Sequence, residues 1–214
     1  VLVILSFVVI LGMGTIDFPN SGVAALLATA LTVTTIYIIK QTDKDNDFVI
    51  NIFLIALIVR LIFGAVLQFF DLKEFFGGDA LTYDFFGNRL KEIWLGEYTL
   101  ANDPFSQKAL STSGPGWGMN YLVGFIYLFT GQNIFAAQTF CGIIGAATAP
   151  LVYACSYKIF QNQRVGKISA ILVALFPAFI IWTGQLLKDG LIIFLLVLVM
   201  TMILKLQEKF SYTV

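Results

Sequence analysis

Six long apolar runs decide what this chain can fold into: residues 1–13, 21–40, 48–70, 133–157, 168–187 and 191–206. They are continuous rather than alternating or striped, the pattern of segments that cross a bilayer. A run of about 20 apolar residues spans the roughly 30 Å hydrocarbon core as a helix, which satisfies every backbone polar group internally. The expected fold class is therefore all-α: a polytopic membrane protein of six transmembrane helices, with interfacial helices in one long external loop. Composition agrees, because only 12% of residues are charged, about half the share of an ordinary globular domain.

Several function classes fall away on the same grounds. Thirteen basic and thirteen acidic residues balance to zero net charge, so no basic surface points to nucleic acid. The chain has no histidine, which excludes histidine triads, histidine general bases and the usual zinc sites. Cys141 and Cys155 share one apolar run; about 21 Å apart along a helix, they read as two buried thiols rather than a disulfide. The start at Val1 reads like a segment of a longer protein, and the first run lacks the basic flank and cleavage site of a signal peptide.

Loop charges set the topology. Lys158, Arg164 and Lys167 cluster in one short connection, and Lys40 and Lys44 lie in or beside another; both are expected on the cytoplasmic side. The region between residues 71 and 132 then has both ends outside. The short apolar stretch at 119–130 cannot cross and is expected to be interfacial or re-entrant. Asp79, in this long loop, and Asp189, in the connection Lys188-Asp189-Gly190, are placed on the same external side.

The long loop should carry structure of its own. Residues 80–95 read as an amphipathic interfacial helix, with Asp79 at its N-cap, Tyr83 one turn on, and Trp94 and Tyr98 near headgroup level. Simple capping accounts for Asp79 as readily as chemistry does, and Asp84 and Glu92 read as the helix's wet face. Asp103-Pro104 reads as a turn, and Gly114-Pro115-Gly116-Trp117 as a rigid one. Asp189 is either a boundary charge that keeps a hairpin tip wet or a site residue. Arg60, near the middle of its span, should face the bundle interior, a polar cavity or a partner carboxylate.

The order of these pieces resembles a known family. Gly-Gly-Asp79-Ala-Leu-Thr-Tyr83 opens the external loop, followed by Gly114-Pro115-Gly116-Trp117 and the apolar helix 121–129. Leu151-Val152-Tyr153-Ala154, Lys158-Ile159-Phe160, Ala174-Leu175-Phe176-Pro177-Ala178 and Gln185-Leu186-Leu187-Lys188-Asp189-Gly190 complete the series. Together, over about residues 51–206, they look like the N-terminal portion of polyprenyl-phosphate-sugar-dependent membrane glycosyltransferases of the C-type fold. That class includes the bacterial family 39 enzymes, protein O-mannosyltransferases and aminoarabinose transferases. The sequence departs from many relatives in having Ala80 where a second acid follows the first, and in the two spans that precede the module.

The resemblance implies catalytic roles for Asp79 and Asp189, substrate contacts from Tyr83, Lys188 and Arg89, and leaves open a divalent metal held by Asp79 and Asp189. It implies sugar transfer from a polyprenyl-phosphate donor to an acceptor hydroxyl of unknown identity, at the external face of a bacterial inner membrane. The expected organisation is two added helices (1–47), a catalytic-type module (48–206) and a tail or continuation (207–214). A non-catalytic membrane subunit and a transporter segment are the competing readings; a transporter predicts an internal repeat, and none is visible.

Overall fold

The computed structural model describes residues 1–13, 20–42, 46–70, 72, 78–97, 104–110, 113 and 116–211. Expectations that fall on Lys44, Asp71, Gly77, Tyr98, Asp103 and the Gly114-Pro115 turn lie outside them. Within the described residues the chain is helical: α1 (Leu2–Met13), α2 (Asn20–Thr42), α3 (Asn46–Phe69), α4 (Asp79–Trp94), α5 (Pro104–Leu110), α6 (Trp117–Thr130), α7 (Ile134–Phe160), α8 (Gln163–Leu175), α9 (Pro177–Thr183) and α10 (Lys188–Ser211). The all-α polytopic membrane fold expected from the sequence is the fold observed.

Four of these helices, α2, α3, α7 and α10, are long and apolar enough to cross a membrane, and the bent pair α8–α9 makes up to a fifth. The first apolar run forms a helix of 12 residues, about 18 Å long, which packs on α2 and α3. The long loop carries α4, α5 and α6. At 14 residues, α6 reaches only about 21 Å.

At the centre of the bundle lies α7, packed against α2, α3, α8 and α10. Its inward positions are small: Ala136, Ala137, Gly142, Gly145, Ala146 and Ala149 are all buried. Small side chains let neighbouring backbones approach closely, which is what drives helix association where lipid is as apolar as the side chains. A Cβ at Gly145 would meet the Thr183 side chain at 2.5 Å. Asn133 caps α7 by accepting from the Ala136 N–H at 3.1 Å. The basic connection after α7 shrinks to Gln161 and Asn162, with Gln161 left-handed at φ 48° and Asn162 accepting from the Arg164 N–H to start α8.

The run 168–187 departs from a single straight span. It breaks at Phe176-Pro177, where α8 and α9 meet at 56°. Pro177 has no N–H to donate and disfavours the helical region for the residue before it; Phe176 is accordingly extended. The break leaves carbonyls at the end of α8 without helical donors, and Arg60 from α3 supplies one. Its Nη1 donates to the carbonyls of Ala174 (3.1 Å) and Ala56 (2.9 Å). Nε donates to Thr183 Oγ1 at 2.8 Å, and the guanidinium lies over the Phe179 ring at 5.1 Å. A mid-span charge costs about 3 kcal/mol on insertion scales. Here it sits at the negative end of the α8 dipole, where a cation is stabilised. Arg60 thus faces the bundle interior, and these partners are carbonyl and hydroxyl oxygens.

Candidate functional site at the α4 and α10 N-termini

The inner face of α4 is made of Ala80, Tyr83, Phe86, Gly87 and Leu90, all buried, at the three- and four-residue spacing of one helical face. It packs on α6 through two glycines. A Cβ at Gly87 would meet Val123 at 2.4 Å, and one at Gly124 would meet Leu90 and Trp94 at 3.1 Å. The opposite face leaves Leu81 and Phe85 exposed.

Capping does not account for Asp79. Gly78 is the N-cap residue, with no side-chain cap bond, and Asp79 is the first residue of the helix. The helix therefore begins one residue earlier than the sequence pattern suggests, because Gly78 itself takes up helical angles. The Asp79 side chain is exposed in the first turn of α4.

The second acid is built differently. The connection between α9 and α10 is buried, with Gln185, Leu186 and Leu187 at 3%, 1% and 3% exposure. Buried backbone needs hydrogen-bond partners, and Gln138 of α7 provides one, donating to the Gly184 carbonyl at 2.8 Å. Lys188 and Asp189 follow in the first turn of α10, both half-buried, and Gly190 is buried against Thr183. The pair is therefore seated on packed structure rather than at a loose wet tip. Asp189 borders an apolar groove of about 730 Å³, walled by Leu172, Phe176, Trp182 and Ile193.

The two ends meet through one buried cluster. Ala80 and Tyr83, beside Asp79, share it with Leu186 and Leu187, beside Lys188; Met119, Val123, Ile126 and Tyr127 of α6 and Ala137 and Cys141 of α7 complete its buried members. Tyr83 is buried, and Gly116, at φ 86°, is where its ring packs: an added Cβ there would lie 2.7 Å from the phenol oxygen. Arg89 lies about 15 Å along α4 from Asp79. It pairs with Glu92 at 3.4 Å and stacks over Phe85 at 5.4 Å, both on its own helix.

One residue near the site does more than its pattern suggested. Asp84 accepts from the Tyr127 hydroxyl and, at 3.1 Å, from Gln132 Nε2, tying α4 to α6 and to the turn before α7. Burial, with the hydrogen bond to Asp84 second, pushes the Tyr127 phenol above its ordinary value. Nothing in the linear pattern separates Asp84 from the wet residues around it; its partners are 43 and 48 residues away. Among the described residues, no three His, Cys, Asp or Glu side chains gather as a metal ligand set. Two carboxylates on different helices make a thin donor set, so no catalytic step is assigned to a metal.

A family model described as dolichyl-phosphate-mannose-protein mannosyltransferase matches residues 90–213, more than half of the chain. The chain belongs to this mannosyltransferase family. It is a membrane glycosyltransferase of the class that draws sugar from a polyprenyl-phosphate donor. The mannosyltransferase match includes Lys188 and Asp189 and begins after Asp79, Tyr83 and Arg89. Comparison with curated proteins and with solved structures gave no match.

Proposed function

We propose that this mannosyltransferase-family chain transfers a sugar from a polyprenyl-phosphate donor to an acceptor hydroxyl at the external membrane face, using Asp79 and Asp189. The observation that carries this reading is the shared cluster that joins the start of α4 to the turn before α10, within a chain of this family. Supporting it, the Asp79 side chain is exposed with Gly78, not Asp79, as the N-cap, and Asp189 borders an apolar groove of a kind that suits a ligand with a lipid tail. Residues 48–206 form the catalytic-type module in this reading, and residues 1–47 are added helices.

In the proposed step the acceptor oxygen attacks the anomeric carbon and its proton passes to the Asp79 carboxylate. The bond from the anomeric carbon to the phosphate oxygen breaks, and its electron pair leaves with the polyprenyl phosphate. Lys188 stabilises the negative charge gathering on that phosphate, and Asp189 orients Lys188 and the sugar. Tyr83 supports the start of α4 from its buried place and limits the room for the acceptor. Arg89 has the weakest case, given its distance along α4.

The family description names dolichyl-phosphate mannose and a protein, so a mannosyl donor and a Ser- or Thr-containing peptide are the substrates to try first. The test is sugar transfer by the purified chain in proteoliposomes, with Asp79→Asn beside the parent. A positioned general base contributes about 10²–10⁴-fold, so the variant should lose at least about a hundredfold in rate while donor binding persists. Transfer at the parent rate by Asp79→Asn would remove Asp79 from this role.

A further inference from the structure

A second groove, of about 830 Å³, lies between α2, α7 and α10, away from the site described above. Its walls are apolar, formed by residues such as Leu31, Ile143, Leu151, Phe194 and Leu198. One end is not: Lys158, Gln161, Gln163 and Lys205 line it there. The chemistry therefore changes along the groove from hydrocarbon to cation.

Its length fits a single leaflet. From Ile143 to Lys158 is 15 residues of α7, about 22 Å of helix, against a half-thickness of about 15 Å for the hydrocarbon core plus the headgroup layer. The polar end also lies far from the proposed transfer site. Ala137, in the cluster beside Asp79 and Lys188, is 21 residues of α7 before Lys158, about 30 Å. These lysines cannot reach a donor phosphate held near Asp79 or Asp189.

We propose that this groove is a binding site for an anionic phospholipid, with an acyl chain along α7 and the phosphate between Lys158 and Lys205. Charge decides in favour of an anionic headgroup. Lys40, Arg164 and Lys167 lie at the same end of the bundle, with Asp47 as an acidic neighbour at the start of α3. Basic pockets between transmembrane helices on the cytoplasmic side take anionic headgroups, and each lysine near that surface contributes a several-fold gain in affinity. The same charges place this end on the cytoplasmic side, where anionic lipid is available. The inference is independent of the transfer reading, because none of its residues serves that reaction.

The test is binding of phosphatidylglycerol and of phosphatidylcholine to the purified full chain in neutral detergent, followed by native mass spectrometry. Phosphatidylglycerol should be retained in preference to phosphatidylcholine. Lys158→Gln and Lys205→Gln should each weaken its binding about fivefold, and together about thirtyfold. Ala147→Trp, which leaves both lysines in place and fills the groove that Ala147 lines, should displace the lipid as well. Equal retention of the two lipids by the parent, or undiminished phosphatidylglycerol binding by the double lysine variant, overturns the proposal. An Ala147→Trp protein that folds and still binds would assign the lipid to the basic surface alone and overturn the groove as its site.

Discussion

Asp79, Asp84 and Asp189 are three carboxylates with three different surroundings, and those surroundings separate their roles. Asp84 is engaged by Tyr127 and Gln132, so it holds helices together. Asp189 is half-buried in the first turn of α10, beside Lys188. Changing Lys188 to Gln should lower the transfer rate roughly 10–100-fold, through the lost charge on the leaving phosphate. Initial rates at saturating donor would separate that effect from weaker binding. The Tyr127 phenol carries a pH prediction. Its value is raised above 10 in the folded protein, so its contribution to stability is complete below pH 10 and is lost as pH rises from there. The stability difference between the parent and Tyr127→Phe, read by denaturant unfolding in micelles, should be flat from pH 7 to pH 9.5. It should shrink above pH 10. Asp79 and Asp189 were legible in the sequence as candidates because the loop charges put both on one side and the family resemblance matched both. The bonds of Asp84 were not legible, because they are made across more than forty residues of chain.

Helices carry the next set of consequences. The mid-span Arg60 was visible in the sequence as a charge in need of partners, but the break at Phe176-Pro177, inside a run read as one span, was not, and neither was the connection between them. Pro177 marks where a helix stops, and Arg60 marks a charge that needs partners. Only packing reveals that the carbonyl freed near the one is bound by the other. The two positions should therefore be energetically coupled. In a double-mutant cycle of Arg60→Met and Pro177→Ala, unfolded by SDS titration, the coupling should be about 1 kcal/mol. Strict additivity would contradict the linkage. A second prediction concerns the α4–α6 crossing. Gly124→Val adds bulk where Leu90, Trp94 and the Gly87 carbonyl lie 3.1–3.2 Å from the added Cβ. Overpacking of this kind costs about 1–3 kcal/mol. Because α4 carries Asp79, thermal unfolding and transfer rate should both fall in Gly124→Val.

At the scale of the whole molecule, apolar run length gives the order of the long helices, and among the described residues α2, α3, α7, α10 and the bent pair α8–α9 follow it, while the first of the six expected spans forms a helix of only 12 residues. The burial of residues 184–187, which turns a hairpin tip into a packed support, could not be read from the sequence. It depends on Gln138 reaching Gly184 from another helix and on the cluster shared with α4. The central claim is that Asp79 and Asp189 serve one site on one side of the membrane. It is tested most directly by replacing each with Cys, in a chain whose buried Cys141 and Cys155 are changed to Ala. Each variant is then labelled in sealed, right-side-out vesicles with a membrane-impermeant maleimide. The account predicts that both positions react from the outside, and that a bound polyprenyl-phosphate sugar slows both. Labelling of the two from opposite faces would contradict it.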